Sequence, residues 1–166
     1  VIYLGAFSKS LSPALRISYM VLPEALMERY EAYLSFYYCP VPIIEQKILH
    51  AFLEKGHFER HLNRMRNLYR QKREILVSCI NSLLPYVEIA GDSAGLHLLL
   101  YVHNGMDENT LIKRAGDHQV KIYGITRYYS EPPLQIKQTT LLMGFARLDL
   151  EEIPKAVSLL REAWSD

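Results

Sequence analysis

A lysine and an arginine seven residues apart, Lys9 and Arg16, are the pair in this sequence best suited to bind a small reactive molecule. They lie between two short apolar runs, which predict a loop joining two strands. A lysine amine in a sheltered site loses its proton more easily and can form an imine, and a nearby guanidinium can bind a phosphate through two hydrogen bonds. The layout therefore suits a phosphorylated aldehyde, although a surface lysine and a structural arginine occur in any protein.

Other candidate chemistries have less support in the sequence. His57 and His61 lie one helical turn apart, a spacing that zinc sites use, but Glu59 lies midway between them. Zinc-protease helices place the glutamate directly after the first histidine or directly before the second, so we predict no metal site here. The sequence has no G-x-x-x-x-G-K run. It therefore gives no basis for a P-loop nucleotide site.

A basic stretch follows His57 and raises the alternative of a nucleic-acid-binding face. Its members are Arg60, Arg64, Arg66, Arg70, Lys72 and Arg73. Glu59 and Glu74 lie among these bases, and the formal net charge of the chain is only +1. A solvated helix surface is therefore the favoured interpretation.

The composition indicates a globular chain: 49% of its 166 residues are hydrophobic. Cys39 and Cys79 form no CxxC pair, which favours reduced thiols and a cytoplasmic location. No apolar run approaches the roughly 18 residues of a membrane span. The chain begins inside an apolar run at Val1, from which we expect a fragment of a longer protein.

Apolar periodicity predicts the elements that would position these side chains. In the first half we expect strands at 1–4 and 17–22, a loop at 8–13, and helices at 23–38, 43–53 and 58–83. The last of these has an apolar stripe that only Lys72 interrupts. In the second half we expect strands at 87–90, 95–102, 120–123 and 139–145, and helices at 107–118 and 151–164, the latter capped by Asp149.

Residues 7–23, which read F-S-K-S-L-S-P-A-L-R-I-S-Y-M-V-L-P, closely resemble the cofactor-lysine segment of fold-type I aminotransferases. They are most similar to the version in MocR-type (GabR-like) regulators of the GntR family. The resemblance continues at 61–69, 94–97, 123–129 and 143–146. It implies an α/β fold, the C-terminal portion of a fold-type I aminotransferase-like domain. We expect a partial large domain at 1–55, a long linking helix at 56–84 and a small α/β domain at 85–166.

The resemblance also implies a cofactor, pyridoxal 5'-phosphate. By position, Lys9 is the Schiff-base lysine, Arg16 the phosphate-binding arginine, and Ser8 an additional phosphate ligand. Ala6 departs from the family, which often has Ser or Thr there. The family's ring-stacking aromatic residue and pyridine-pairing Asp lie upstream of the lysine. We therefore expect the full-length parent, and not this fragment, to retain the cofactor.

An arginine for a ligand carboxylate is expected in the C-terminal part. Many fold-type I aminotransferases place it just before a Ser-Phe-Ala-like turn, and alignment of that turn on 144–146 puts Leu142 there. The resemblance favours Arg127, within a V-x-x-Y-x-x-x-R-Y-Y run, with Arg147 as the runner-up. A structural arginine bonded to backbone carbonyls is the alternative.

Three functions remain open from the sequence. MocR-type proteins are homodimers in which, by the resemblance, an amino-acid-like effector acts at the cofactor site and a winged helix-turn-helix outside this chain binds DNA. A metabolic pyridoxal-phosphate-dependent aminotransferase is the enzyme alternative, and a structural fragment without a ligand is the third. A basic winged helix upstream would favour the regulator.

Overall fold

The computed structural model describes residues 1–91, 93, 95–131 and 138–165. The chain divides into two compact units, residues 1–66 and 67–166, each described by itself below. Ala94, which belongs to one of the segments that carry the family resemblance, lies outside the described residues.

The first unit contains a two-stranded antiparallel sheet. Strand β1 (Tyr3–Ala6) pairs with β2 (Ser18–Val21), and the ladder runs from Tyr3 opposite Val21 to Ala6 opposite Ser18. The connection begins with a short helix, α1 (Phe7–Ser10), where we expected only a loop. The Phe7 amide donates to the Ile17 carbonyl at 2.9 Å, which extends the pairing by one bond and fixes both ends of the connection.

Three helices follow in the order that the sequence predicts: α2 (Glu24–Leu34), α3 (Ile43–Glu54) and α4 (His57–Leu83). Helix α2 ends four residues earlier than expected, because the Tyr37 amide bonds to the Leu34 carbonyl in a tighter turn. Helix α3 ends shortly before Gly56, as expected, and the φ of +66° at this residue is the left-handed conformation that glycine adopts without strain.

Few apolar side chains of the first unit are buried within this chain. Among its described residues only Ile17 and Leu49 are buried apolar ones. Large side chains of α2, of α3 and of the segment between them are exposed, including Tyr33, Phe36, Tyr38, Ile44 and Ile48. The unit therefore presents an extensive apolar surface.

The second unit is an antiparallel sheet covered by helices. Its strands are β3 (Val87–Ala90), β4 (His97–Val102), β5 (Tyr123–Gly124) and β6 (Thr139–Gly144), in the spatial order β3-β4-β6-β5. Helices α5 (Glu108–Asp117) and α6 (Glu152–Trp164) pack on each other, and α5 also contacts β5 and β6. This is the α/β layer that the second half of the sequence predicts.

The core of this unit joins the sheet to α4 and α6. Leu98, Leu100 and Leu141 from the sheet pack with Leu76 of α4 and Trp164 of α6 in one buried cluster. Trp164 is 1% exposed, and its indole N–H donates to the Leu111 carbonyl at 3.1 Å. The polar end of this large side chain is thereby satisfied without water.

In the second unit, the start of β5 and the cap of α6 differ from expectation. The strand predicted at 120–123 begins only at Tyr123, because the Val120 amide bonds back to the Ala115 carbonyl in the turn after α5. The N-cap of α6 is Glu151 rather than Asp149. Asp149 has a related contact, since its backbone amide donates to the Glu152 carboxylate at 2.8 Å, as in one half of a capping box.

Candidate functional site

Ser8 and Arg16 are in direct contact beside Lys9. Nη1 of Arg16 donates to the Ser8 hydroxyl oxygen at 3.3 Å. Lys9 is the next residue of α1, and its side chain is exposed. A guanidinium and a hydroxyl thus contact each other at the residue next to a lysine, and this pair of donors could hold a phosphate.

The backbone of Arg16 has an unusual conformation. Its φ is +50°, in the left-handed region that residues other than glycine rarely adopt. Such strain is typical of functional sites that the surrounding structure over-determines. Here the two strands hold the connection on either side, with Phe7 bonded to Ile17 immediately after Arg16.

An aromatic cluster supports the segment that carries Lys9. The Phe7 ring packs against Tyr19 at 5.4 Å and edge-on against Phe58 at 5.6 Å between ring centroids. The Tyr19 ring lies so close over Gly5 that a Cβ at that position would overlap it. Hydrogen bonding to Tyr3 raises the pKa of Tyr19 above the ordinary tyrosine value. These contacts explain the glycine and aromatic residues around the lysine.

Arg127 lies on a 3-10 turn (Thr126–Tyr128) directly after β5. Its guanidinium carbon is 5.9 Å from the centre of the Tyr123 ring and 5.4 Å from that of Tyr128. Within the described ranges, no carboxylate forms an ion pair with it and no backbone carbonyl accepts from it. An exposed cation with aromatic support and no acidic partner of its own is suited to a ligand anion.

The turn that carries Arg127 is bonded to helix α5. The Glu108 carboxylate accepts hydrogen bonds from the Thr126 hydroxyl at 2.7 Å and from the Thr126 amide at 3.3 Å. Sequence reasoning missed Glu108, because an acid in the first turn of a helix is explained by the helix dipole alone. Its 18-residue separation from Thr126 gives no local signal.

Arg147, the runner-up, lies in the turn after β6 and is exposed. That turn is held by Lys72 of α4, whose ammonium group donates to the Ala146 carbonyl at 3.1 Å. Lys72 is only 6% exposed. Sequence reasoning treated it as a flaw in the apolar stripe of α4. The interruption was in fact the available signal of a buried polar contact.

The paired histidines of α4 make local contacts. His57 Nδ1 accepts from Arg60 at 2.8 Å, and Arg60 also donates to the Lys55 carbonyl at 3.2 Å. No group of three potential metal ligands occurs within the part of the chain that the structure describes.

Two arginines of the basic stretch, Arg66 and Arg70, donate to Asn63 and Asn67, one turn earlier on the helix. These arginines therefore have neighbours on the surface of their own helix.

Cys39 and Cys79 are both free thiols, the first exposed and the second half-buried. None of the described helices combines the length and the apolar character that a membrane crossing requires.

Comparison with known proteins gives similarity over essentially the whole chain. No family model matches it. It is 40% identical to the uncharacterized HTH-type transcriptional regulator YdeL of Bacillus subtilis, covering 99% of this chain and 35% of that protein. It is 28% identical to MocR of Rhizobium meliloti, named as a probable rhizopine catabolism regulatory protein, over 99% of this chain and 33% of that protein. The chain thus spans about a third of each regulator.

Solved structures give the same fold. The α-aminoadipate aminotransferase LysN of Thermus thermophilus, crystallised with N-(5'-phosphopyridoxyl)-L-leucine, superposes with a TM-score of 0.78 at 29% identity. The match covers 99% of this chain and 41% of that one. The resemblance to MocR-type regulators and the expected α/β fold are confirmed. The architecture is that of part of a fold-type I aminotransferase-like domain.

Proposed function

We propose that this chain, whose sequence and fold are those of the C-terminal part of a MocR-type aminotransferase-like domain, belongs to the effector-sensing domain of a transcriptional regulator. The observation that carries the proposal is the 40% identity to an HTH-type regulator over 99% of the chain. Within that domain, we assign residues 1–55 to the large domain, 56–84 to the linking helix and 85–166 to the small domain.

The cofactor of the full-length parent would be pyridoxal 5'-phosphate, with Lys9, Arg16 and Ser8 as its ligands in this chain. When bound, this group supplies an aldehyde that reacts reversibly with amines. Lys9 would hold it covalently through the side-chain amine. Arg16 and Ser8, which already contact each other at 3.3 Å, would hold its phosphate. This fragment alone would not retain the cofactor, because the family's contacts to the pyridine ring come from elsewhere in the parent.

Arg127 would bind the carboxylate of an amino-acid-like effector. Its guanidinium is oriented by two tyrosine rings and has no acidic partner among the described residues. Among the described residues it also bonds to no backbone carbonyl, whereas a purely structural arginine would be expected to do so. No aromatic ring of the described residues stacks on Arg147, so it stays second. A guanidinium is the natural receptor here because it donates two parallel hydrogen bonds to a carboxylate.

The regulatory step would couple this site to DNA. An effector that binds two conformations of a dimer with different affinity shifts the population toward the one that it prefers. In the parent, a cytoplasmic homodimer, the shift would change how winged helices outside this chain hold DNA. The exposed apolar surface of the first unit is compatible with burial against other parts of such an assembly.

A metabolic aminotransferase is the second candidate. The specific observation in its favour is 30% identity to the 2-aminoadipate transaminase of Thermus thermophilus over 98% of this chain. Regulator and enzyme would use the same residues, described above, to bind the cofactor and a carboxylate. They differ in whether an amino acid is turned over and whether DNA is bound.

One experiment separates the two. The full-length protein is loaded with pyridoxal 5'-phosphate and exposed to a panel of the standard amino acids and L-2-aminoadipate. Cofactor absorbance, oxo-acid production and affinity for promoter DNA are then measured. The regulator proposal predicts that at least one amino acid changes both the absorbance and the DNA affinity. Steady production of oxo acid without any DNA binding would establish the enzyme instead.

A further inference from the structure

Glu108 connects helix α5 to the turn that carries Arg127. It is the first residue of α5, and one carboxylate oxygen, Oε2, accepts both the hydroxyl and the amide hydrogen bond of Thr126. The hydroxyl bond is short, at 2.7 Å. Two bonds from a single residue to a half-buried carboxylate fix the direction of the turn as well as its distance from the helix.

Gly124 makes room for this carboxylate. It is buried in β5, opposite Leu141 of β6, and a Cβ built on it would overlap the Glu108 carboxyl group. Any larger residue at 124 would have to displace Glu108. The strand, the turn and the helix are therefore in contact at one point, through Gly124, Thr126 and Glu108.

The turn needs such an external contact. It is a 3-10 helix of three residues, and its internal bonds run from the Tyr128 amide to Ile125 and from the Tyr129 amide to Thr126. Short 3-10 segments have poor hydrogen-bond geometry and little stability of their own. The Thr126 amide is one of the donors that such a turn leaves unpaired at its start, and Glu108 accepts from it.

The position of Glu108 is itself fixed by the N-terminal cap of helix α5. Asp107, the N-cap of α5, accepts from the Thr110 amide at 3.0 Å and from its hydroxyl at 2.7 Å. The first turn of α5 is thereby closed at the residue next to Glu108. The helix thus provides a rigid base from which the carboxylate reaches Thr126.

We propose that Glu108 is a positioning residue, which holds the Thr126–Tyr128 turn so that the Arg127 guanidinium faces a ligand anion. This inference rests on the proposed role of Arg127 in effector binding and adds a residue that touches no ligand. Glu108 acts by accepting hydrogen bonds. Glutamine keeps an acceptor oxygen at the same distance from the backbone, so it preserves most of this role. Alanine removes it.

The first test measures the turn directly, without a ligand. Hydrogen–deuterium exchange is followed by mass spectrometry in the cofactor-loaded full-length protein, for a peptide that spans 123–131. Glu108→Ala is expected to speed exchange of the Thr126 amide roughly tenfold, the consequence of losing a charged hydrogen bond. Glu108→Gln is expected to stay within about twofold of wild type. The matched control is Glu88→Ala, which removes a carboxylate of the same unit that lies 3.7 Å from His103.

The second test uses non-additivity at Gly124. Gly124→Ala keeps the carboxylate and displaces it, so alone it is expected to accelerate exchange as much as Glu108→Ala. In the Glu108→Ala background the added methyl group has space, so the double variant is expected to exchange no faster than Glu108→Ala. Independent, additive effects would show that the two residues do not act through one contact.

The third test connects the turn to ligand binding, with the same amino-acid panel as the probe. Glu108→Ala is expected to weaken binding of the responding amino acid roughly tenfold, and Glu108→Gln to restore it. Unchanged exchange in Glu108→Ala overturns the inference whatever the panel does. Weakened binding in Arg127→Gln with unchanged binding in Glu108→Ala also overturns it, whereas unchanged binding in Arg127→Gln overturns the proposed effector site instead.

Discussion

The ammonium group of Lys72 donates a hydrogen bond to the Ala146 carbonyl oxygen at 3.1 Å, although the two residues are 74 positions apart. The bond links the middle of α4 to the turn between β6 and α6, where Arg147 lies. A partly buried carbonyl that loses its partner destabilises a fold, so this contact has a measurable consequence.

Lys72→Met keeps the length of the side chain and removes its only donor group. We expect it to lower the free energy of unfolding of the second unit by about 1–3 kcal/mol, because the Ala146 carbonyl then lacks a partner. Trp164, the only tryptophan of this chain, reports on that unit in urea unfolding followed by fluorescence. The control is Lys113→Met at an exposed position of α5. Equal stability of the two variants would show that the bond contributes nothing.

Lys9 is expected to be the residue that reacts with the cofactor. Borohydride reduction of the cofactor-loaded full-length protein, followed by peptide mapping, should label Lys9, the residue next to Ser8, whose hydroxyl contacts Arg16. Lys9→Ala should abolish the label while phosphate contacts retain some cofactor. A label on Lys47 or Lys121 would mean that the site has been misplaced.

The cap of α5 should respond to acid. Hydrogen bonds from the Thr110 amide and hydroxyl lower the pKa of Asp107 below its usual 3.8. A lowered pKa means that the ionised cap stabilises the folded state above the usual value, and that this stabilisation is lost as the pH falls below 3.8 through the lowered pKa. Thermal melting of wild type and Asp107→Ala should therefore differ at pH 7, and the difference should shrink in acid. A difference in melting temperature that does not change with pH would contradict the assignment of this stabilisation to the ionised Asp107 cap.

The sequence predicted the long helix α4 and most of the sheet in the second unit, because apolar periodicity directly reflects which faces are buried. It could not predict Glu108, Thr126 and Gly124 as one contact, since nothing local relates a helix start to a turn 18 residues later. The left-handed Arg16 was equally hidden, because a strained backbone depends on the strands around it. The roles of Lys9, Ser8, Arg16 and Arg127 stay predictions.

The most direct measurement of the central claim is the DNA affinity of the cofactor-loaded full-length protein, titrated with the responding amino acid. The variants compared are wild type, Arg127→Lys and Arg147→Lys. Lysine keeps the charge but loses the paired donors, so Arg127→Lys should raise the amino-acid concentration needed by roughly 30-fold or more, about 2–4 kcal/mol. Cofactor absorbance should be intact, and Arg147→Lys should behave like wild type. An unchanged response in Arg127→Lys with a lost response in Arg147→Lys would move the carboxylate site to Arg147. The account as a whole would be contradicted by DNA affinity that no amino acid alters.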